Sequence, residues 1–359
     1  NEFIDFMCSW GPIVLGHNHP AVEEAVLAEN TRGVCLNGPG KAFVELAEIL
    51  VAEVAHAEWA MFSKNGTDAT NMGLRIARAA TGRAKVLIAR RAYHGIGTWS
   101  LPPGSAGVTL EDKADTIYFE YNDLESLDAA IATAGDDVAA IVATPIRHEV
   151  HRDLEAAELS FATGIRERCD RLGACLMIDD IRCGFRLDLA GSWEGFGVRP
   201  DLTAYSKALA NGHPLAALTG SEALRQAATE ITATGSFWFS ASPMAAAIAT
   251  IQTLKAEQGI SRMEAAGTRL QDGLRDQAAA HGFGVSVTGP PQLPFMSFSD
   301  DADEAKAFAW ASECASNGVY VHPFHNWFLS AAHDEAAIDE ALARTDDSFA
   351  ALRGRFGAD

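Results

Sequence analysis

The chain predicts an α/β protein: a mostly parallel central sheet flanked by helices, with a smaller α+β domain towards its C-terminal end. Three observations predict it. Short apolar runs alternate with amphipathic helical stretches over the first 250 residues, as in βαβ units. Polar, chemistry-bearing residues fall directly after those runs, where open parallel sheets bind ligands. The texture then changes to long helices around short strands. The length, 359 residues, suits about two domains.

The strands expected in order are Ala60-Met61-Phe62, Lys85 to Ala89, Ala139 to Ala143, Ala174 to Ile178, Leu202 to Tyr205 and Leu215 to Leu218. Helical patterns lie between them at Ala69 to Ala80, Leu124 to Ala134 and Phe161 to Leu172. Ser242-Pro243 opens another helix, with Pro in its first turn. Beyond it we expect long helices at Ile251 to His281 and Ala302 to Asn317, short strands at Gly284 to Val287 and Val319 to Val321, and a last helix at Asp334 to Phe356. The expected division is an N-terminal segment, 1–35, packing on the small domain, a large domain, 36–250, and a small C-terminal domain, 251–359.

Charge and composition exclude some classes. Twenty-eight basic against 48 acidic residues give a formal net charge of −20, which argues against nucleic acid or an anionic membrane as partner. No apolar run reaches the length of a bilayer span. The start, Asn1-Glu2-Phe3-Ile4-Asp5, has no basic segment or cleavage site and reads like the inside of a strand. The six scattered cysteines form no CxxC pair, and we expect reduced thiols in a cytoplasmic protein.

Four strand ends carry the chemistry. After Phe62 comes Ser63-Lys64-Asn65-Gly66-Thr67-Asp68. Gly admits close backbone approach, and N–H groups at a helix start make an anion cup to which Thr67 adds a hydroxyl. After the second run comes Tyr93-His94-Gly95, whose phenol ring offers a stacking plane. Asp179-Asp180 ends a wholly apolar strand, where an ionised carboxylate needs a cationic partner. Ser206-Lys207 follows Tyr205, and desolvation there frees an amine to attack a carbonyl. Each feature alone also fits something plainer: a capped turn, a core aromatic, a helix N-cap, a surface lysine. Together, anion cup, aromatic plane, carboxylate and amine match the needs of pyridoxal 5′-phosphate.

With these residues the chain resembles the class III, fold-type I aminotransferases, most closely their glutamate-1-semialdehyde 2,1-aminomutase branch. Phe6 to Pro12 followed by Leu15-Gly16-His17-Asn18-His19-Pro20 is similar to that branch's N-terminal stretch. Asn65 to Ala69 resembles its phosphate loop, Tyr93-His94-Gly95 its ring-stacking motif, and Asp179-Asp180 with Gly184-Phe185-Arg186 its DE…GFR segment. The resemblance implies Lys207 as the cofactor-anchoring lysine and general base, Asp179 as the ring-nitrogen partner and Tyr93 as the stacking ring. Asn65, Gly66, Thr67 and His94 join them as cofactor-binding residues. It also implies a homodimer sharing its active site, with Trp238 where the partner's phosphate-contacting Thr normally stands.

Departures cluster where substrate would lie. Asn65 replaces a Ser, Asp180 replaces a Glu one methylene longer, and the loop from Gly95 to Asp115 is shorter. Trp10 matches a pocket tryptophan. His325 stands in place of a pocket glutamate, and Arg147-His148 alters the stretch with a pocket asparagine. We therefore expect retained cofactor chemistry on a different substrate, with Arg147, His148 and His325 favouring an anionic group. The alternative for Arg147 is an ion pair with Glu149 or Asp153. The expected activity is amino transfer between an amino acid or amine and a keto acid or aldehyde. An intramolecular aminomutase is the alternative, followed by a racemase, a decarboxylase or a catalytically silent binding protein. His148-Glu149-Val150-His151 lacks the spacing of a zinc helix, and no P-loop or GxGxxG occurs, so neither a metal nor a nicotinamide cofactor is expected.

Overall fold

The computed structural model describes residues 1–357. Chain contacts divide it into two units. The larger comprises Pro20–Arg147 and Ala156–Gln252; the smaller comprises Asn1–His19, His148–Glu155 and the chain from Thr253 on.

The larger unit is built on a seven-stranded sheet. Its strands run, from one edge to the other, Trp59–Ser63, Ala216–Gly220, Leu202–Tyr205, Cys175–Asp179, Val138–Ala143, Lys85–Ala89 and Thr116–Phe119. Only Ala216–Gly220 runs against its neighbours. Such a sheet is covered on both faces, which explains runs as apolar as Val-Ala-Ala-Ile-Val-Ala. The alternation is visible residue by residue. Val86, Ile88, Ala140, Val142 and Met177 pack on one side with Ala69, Met72 and Ile76 of the Gly66–Thr81 helix. Leu87, Ile141, Leu176 and Ile178 pack on the other with Leu127 of the Leu124–Ala134 helix and Phe161 and Ile165 of Leu159–Leu172.

Two expectations are corrected. The pattern from Ile251 to His281 is not one helix: Ala241–Ala256 stops, Gln258 takes a left-handed conformation at φ 53°, and Gly259–Ala280 restarts. Leu254 lies so close to Gly259 that a Cβ there would meet its Cδ2 at 2.7 Å, so the reversal needs glycine. The sheet also gains an outer strand, Thr116–Phe119, whose four residues, two buried and two half-buried, are too short a run to stand out from pattern alone. Elsewhere the boundaries shift by a few residues, and Asp179 is the last residue of its strand rather than the first after it.

In the smaller unit Ile4–Asp5 pairs in parallel with Val319–Tyr320, so the strand-like start finds a strand partner. Val285–Thr288 and Phe295–Phe298 form an antiparallel pair. The Glu335–Phe356 helix is capped by Asp334, whose carboxylate takes the Ala337 N–H at 2.9 Å.

The Gly66–Thr81 helix lies unusually close to the sheet. A Cβ on Gly73 would sit 2.7 Å from Met177 Sδ and 3.3 Å from Leu218 Cδ1. Gly73→Leu should therefore lower the urea unfolding midpoint, equivalent to about 1–3 kcal/mol of overpacking. An unchanged midpoint would show that the helix has slack to move.

Candidate active site

Strand ends bring Asn65, Gly66, Thr67, Tyr93, His94, Asp179 and Lys207 to one edge of the sheet. The backbone is extended at Asn65 and turns helical at Gly66. Asn65 Oδ1 takes the Asp68 N–H at 3.1 Å, and the Asp68 carboxylate takes the Lys64 and Asn65 N–H groups at 3.3 Å each. This reciprocal cap fixes the helix start. The N–H groups of Gly66 and Thr67 have no acceptor inside the helix and remain as donors for an anion. A Cβ on Gly66 would fall 2.5 Å from Ile181 Cδ1, so glycine lets the helix start close on the turn after Asp179. Thr67 Oγ1 accepts the Ile96 N–H at 3.2 Å, tying the Tyr93-His94-Gly95 loop to the same helix start.

Asp179 is buried, and its surroundings are specific. Oδ1 takes the Ile181 N–H at 3.3 Å. Oδ2 lies 2.8 Å from His94 Nδ1, and the imidazole is itself buried. With Asp179 ionised, Nδ1 carries the proton. His94 is held in turn: its carbonyl accepts the Thr70 hydroxyl at 3.1 Å, and its ring stacks with Trp99 at a centroid distance of 6.1 Å. His94, expected to bind cofactor, therefore also orients the carboxylate. Tyr93 is 55% exposed, its phenol within electrostatic reach of Arg182.

Lys207 opens a short 3-10 turn with φ at +41°. A lysine rarely adopts this left-handed backbone, and strain of this kind marks a side chain aimed by its surroundings. The preceding Ser206 donates its hydroxyl to the Leu215 carbonyl at 2.8 Å and pins the turn. Burial, reinforced by the Arg182 guanidinium and opposed by Asp179, pushes the ammonium down to about 7. Near neutrality much of this lysine is then the free amine, the form that attacks an aldehyde.

Arg182 was not singled out from sequence, and Arg186 only as part of the Gly184-Phe185-Arg186 motif. Both are buried beside Lys207 and Asp179, and burial draws Arg182 down to about 10. The available signal was a pair of cations within seven residues of the strand-end carboxylate. Asp180 is also wholly buried. It caps no helix but takes the Ser192 N–H at 3.0 Å and the Ser192 hydroxyl at 2.6 Å. Burial raises its carboxyl to about 7.

The remaining candidates have these surroundings. Trp238 is half-buried against the core beside Ile231 and Ala233. Arg147 lies over the Tyr121 ring at 5.9 Å. In the smaller unit, Glu149 pairs with Arg152 at 3.2 Å, and Asp153 accepts from Ser286 and Ser297 at 2.8 and 2.7 Å. There Trp10 meets His325 edge-on at 4.8 Å, and His148 meets His325 at 5.6 Å. Three consecutive left-handed residues, Cys8, Ser9 and Trp10, hold this indole out while it stays half-exposed. Among the described residues no cluster of three or more His, Cys, Asp or Glu would hold a metal.

Anion cup, buried carboxylate, half-neutral lysine and stacking phenol define an enzyme that carries pyridoxal phosphate, and the donor set fits that group. The class-III aminotransferase family matches residues 1–343, and the chain belongs to it. It is 45% identical to an aminopentol aminotransferase of Sphingopyxis macrogoltabida, covering 99% of this chain and 84% of that one. A glutamate-1-semialdehyde 2,1-aminomutase of Desulfatibacillum aliphaticivorans is 32% identical, covering 95% and 86%. The solved FumI protein of Sphingopyxis sp. MTA144, described as a PLP internal aldimine form, superposes with a TM-score of 0.97 at 45% identity, covering 99% and 86%. The chain is thus a pyridoxal-phosphate-dependent aminotransferase-family enzyme with aminomutase relatives, and its fold is the one the resemblance implied.

Two measurements check this site. The rate at which apoprotein condenses with pyridoxal phosphate should rise through a midpoint near pH 7; a midpoint near 10 would show an ordinary exposed lysine. For Asp180 the folded carboxyl holds its proton more tightly than the unfolded one. The resulting stability is full below about pH 4 and is lost as pH rises through about 7. Asp180→Asn should therefore gain stability relative to the parent as pH rises across that window. A pH-independent difference would remove the buried charge as its cause.

Proposed function

We propose that this enzyme transfers the amino group of a hydroxylated primary amine to a keto acid. The observation that carries the reading is the 45% identity, over almost the whole chain, with a protein named for action on an aminopentol. By its name such a substrate is an amine bearing several hydroxyls. Trp10, His148 and His325 are the residues we assign to it. Imidazoles both donate to and accept from hydroxyls, and the indole covers apolar carbon. Burial and the nearby His151 lower the neighbouring His322, which favours its neutral form.

Pyridoxal phosphate, when bound, carries the amino group and takes up the electrons released when a C–H bond beside nitrogen breaks. The chain's residues do the rest in our reading. Gly66 and Thr67 N–H groups hold the phosphate. Asp179, fixed by His94 and the Ile181 N–H, keeps a proton on the ring nitrogen. Tyr93 would stack on the ring. Lys207, brought down to about 7 by burial and Arg182 and so partly neutral, would anchor the aldehyde and then move the proton at the amine-bearing carbon.

We also infer a homodimer. Cys35 and Ser240 bridge two loops of the larger unit that leave Val34 and Phe237 largely exposed, and Ile96 is 71% exposed beside the Tyr93 loop. Exposed apolar residues of this size suit burial against a second copy. The six free thiols agree with a cytoplasmic setting. Among the described residues no helix is long and apolar enough to cross a membrane.

Stoichiometry tests the activity. An aminopolyol alone should change the cofactor absorbance once and stop, and adding a keto acid should restore turnover. Sustained conversion of one substrate with no acceptor would support the aminomutase instead. Lys207→Ala should abolish turnover, and Asp179→Asn should lower kcat by about 10²-fold or more with the fold intact. Near-parental rates in either variant would overturn the assignment of roles.

A further inference from the structure

Asp180 forms one wall of a small chamber inside the larger unit. His56, Gly191, Trp193, Thr203 and Tyr205 line it as well. The chamber offers about 10 Å³ to the centres of water molecules, within the range that admits one water.

Its walls carry unmet hydrogen bonds. Trp193 Nε1, Thr203 Oγ1 and Tyr205 OH are all buried, and none has a hydrogen-bond partner. The two hydroxyls lie within interacting range of each other without forming a bond of good geometry. A buried polar atom left unpaired is costly, and native interiors hold few of them. Three around one void therefore point to an occupant. Gly191 keeps the void open: a Cβ there would come within 3.4 Å of Tyr205 OH and 4.0 Å of His56 Cε1.

The occupant's chemistry follows from the wall. An indole N–H only donates, a carboxylate only accepts when ionised, and the hydroxyls do either. The occupant must therefore accept and donate at once, as water does. A free anion would lie against Asp180, which also faces Asp179 and Asp188. His56 offers no compensating cation, because burial and Arg199 hold it down to about 4. A metal cation would meet the Trp193 N–H.

We propose that this chamber binds one ordered water, which accepts the Trp193 N–H, bridges the Thr203 and Tyr205 hydroxyls and supports the Asp180 carboxylate. Asp180 is then a positioning residue. It pins the turn at Ser192 with two hydrogen bonds and precedes no chemistry itself. Its charge is felt at Asp179, one residue earlier, which holds the cofactor ring.

The test uses the holoenzyme. A high-resolution crystal structure should show one density peak within hydrogen-bonding distance of Trp193 Nε1, Thr203 Oγ1 and Tyr205 OH. Tyr205→Phe and Thr203→Val should lose that peak; Thr203→Ser, which keeps the hydroxyl, should retain it. With the water lost, Asp180 holds its proton more tightly and less negative charge lies near Asp179. The pH midpoint of the cofactor's absorbance change should then move down in Tyr205→Phe and Thr203→Val and stay at the parental value in Thr203→Ser. An empty chamber in the parent overturns the proposal, as does an anomalous peak there after a bromide soak. An unmoved midpoint in both hydroxyl-deleting variants overturns the link to Asp179. If those variants fail to fold, the parent's density alone decides whether water is bound.

Discussion

A carboxylate and an amine buried at the same sheet edge are the constraint on which the rest of this structure depends. Asp179 ends a strand whose other residues are apolar, and Lys207 follows the strand beside it. Neither group is at ease there. The carboxylate is steadied by one backbone N–H and by His94, and the lysine sheds its proton readily because burial disfavours its charge and Arg182 and Arg186 add to that. An isolated buried charge is costly, so this edge is stable only as a set. Removing a member leaves its neighbours with charge that nothing answers.

The surrounding fold keeps that set from relaxing. Gly73 lets the Gly66–Thr81 helix press onto the sheet, and Gly66 lets its start close on Ile181. Thr67 and Thr70 both reach the 94–96 loop, so the anion cup, the stacking loop and the His94–Asp179 pair share one helix as foundation. The left-handed backbone at Lys207 is tolerated because Ser206 is tied to Leu215. Packing upstream thus becomes preorganisation at the site, the form in which a folded chain supplies catalytic electrostatics.

Much of this was legible in the sequence because strands that are buried on both faces are uniformly apolar, and the polar residue ending each run stands out. Asp179, Lys207 and the Asn65-Gly66-Thr67 turn stood out that way as candidates. Arg182 did not, and Arg186 entered only through the family motif, since a cation in an irregular turn carries no periodic signal and its burial is decided by tertiary contacts. The pairing of His94 with Asp179 spans 85 residues and has no local signature. The break at Gln258 was hidden for the opposite reason: helical periodicity continues across it, and only the left-handed φ and the closeness of Leu254 to Gly259 reveal the turn. The family resemblance pointed to the candidate residues but not to these second contacts.

Asp180 shows how one departure from a family pattern acquires a physical meaning. Where the resemblance expects Glu, this side chain is one methylene shorter. Its carboxylate is drawn back towards the backbone, where the N–H and hydroxyl of a single residue, Ser192, take both oxygens. A shorter acid reaches less far into the space before it, and that space is bounded by donors, Trp193, Thr203 and Tyr205, that the acid itself does not satisfy. A longer acid would extend further towards those donors. The shorter one leaves their pairing to the water we propose, so the protonation of a buried group next to Asp179 comes to depend on a cavity lined by Trp193, Thr203 and Tyr205.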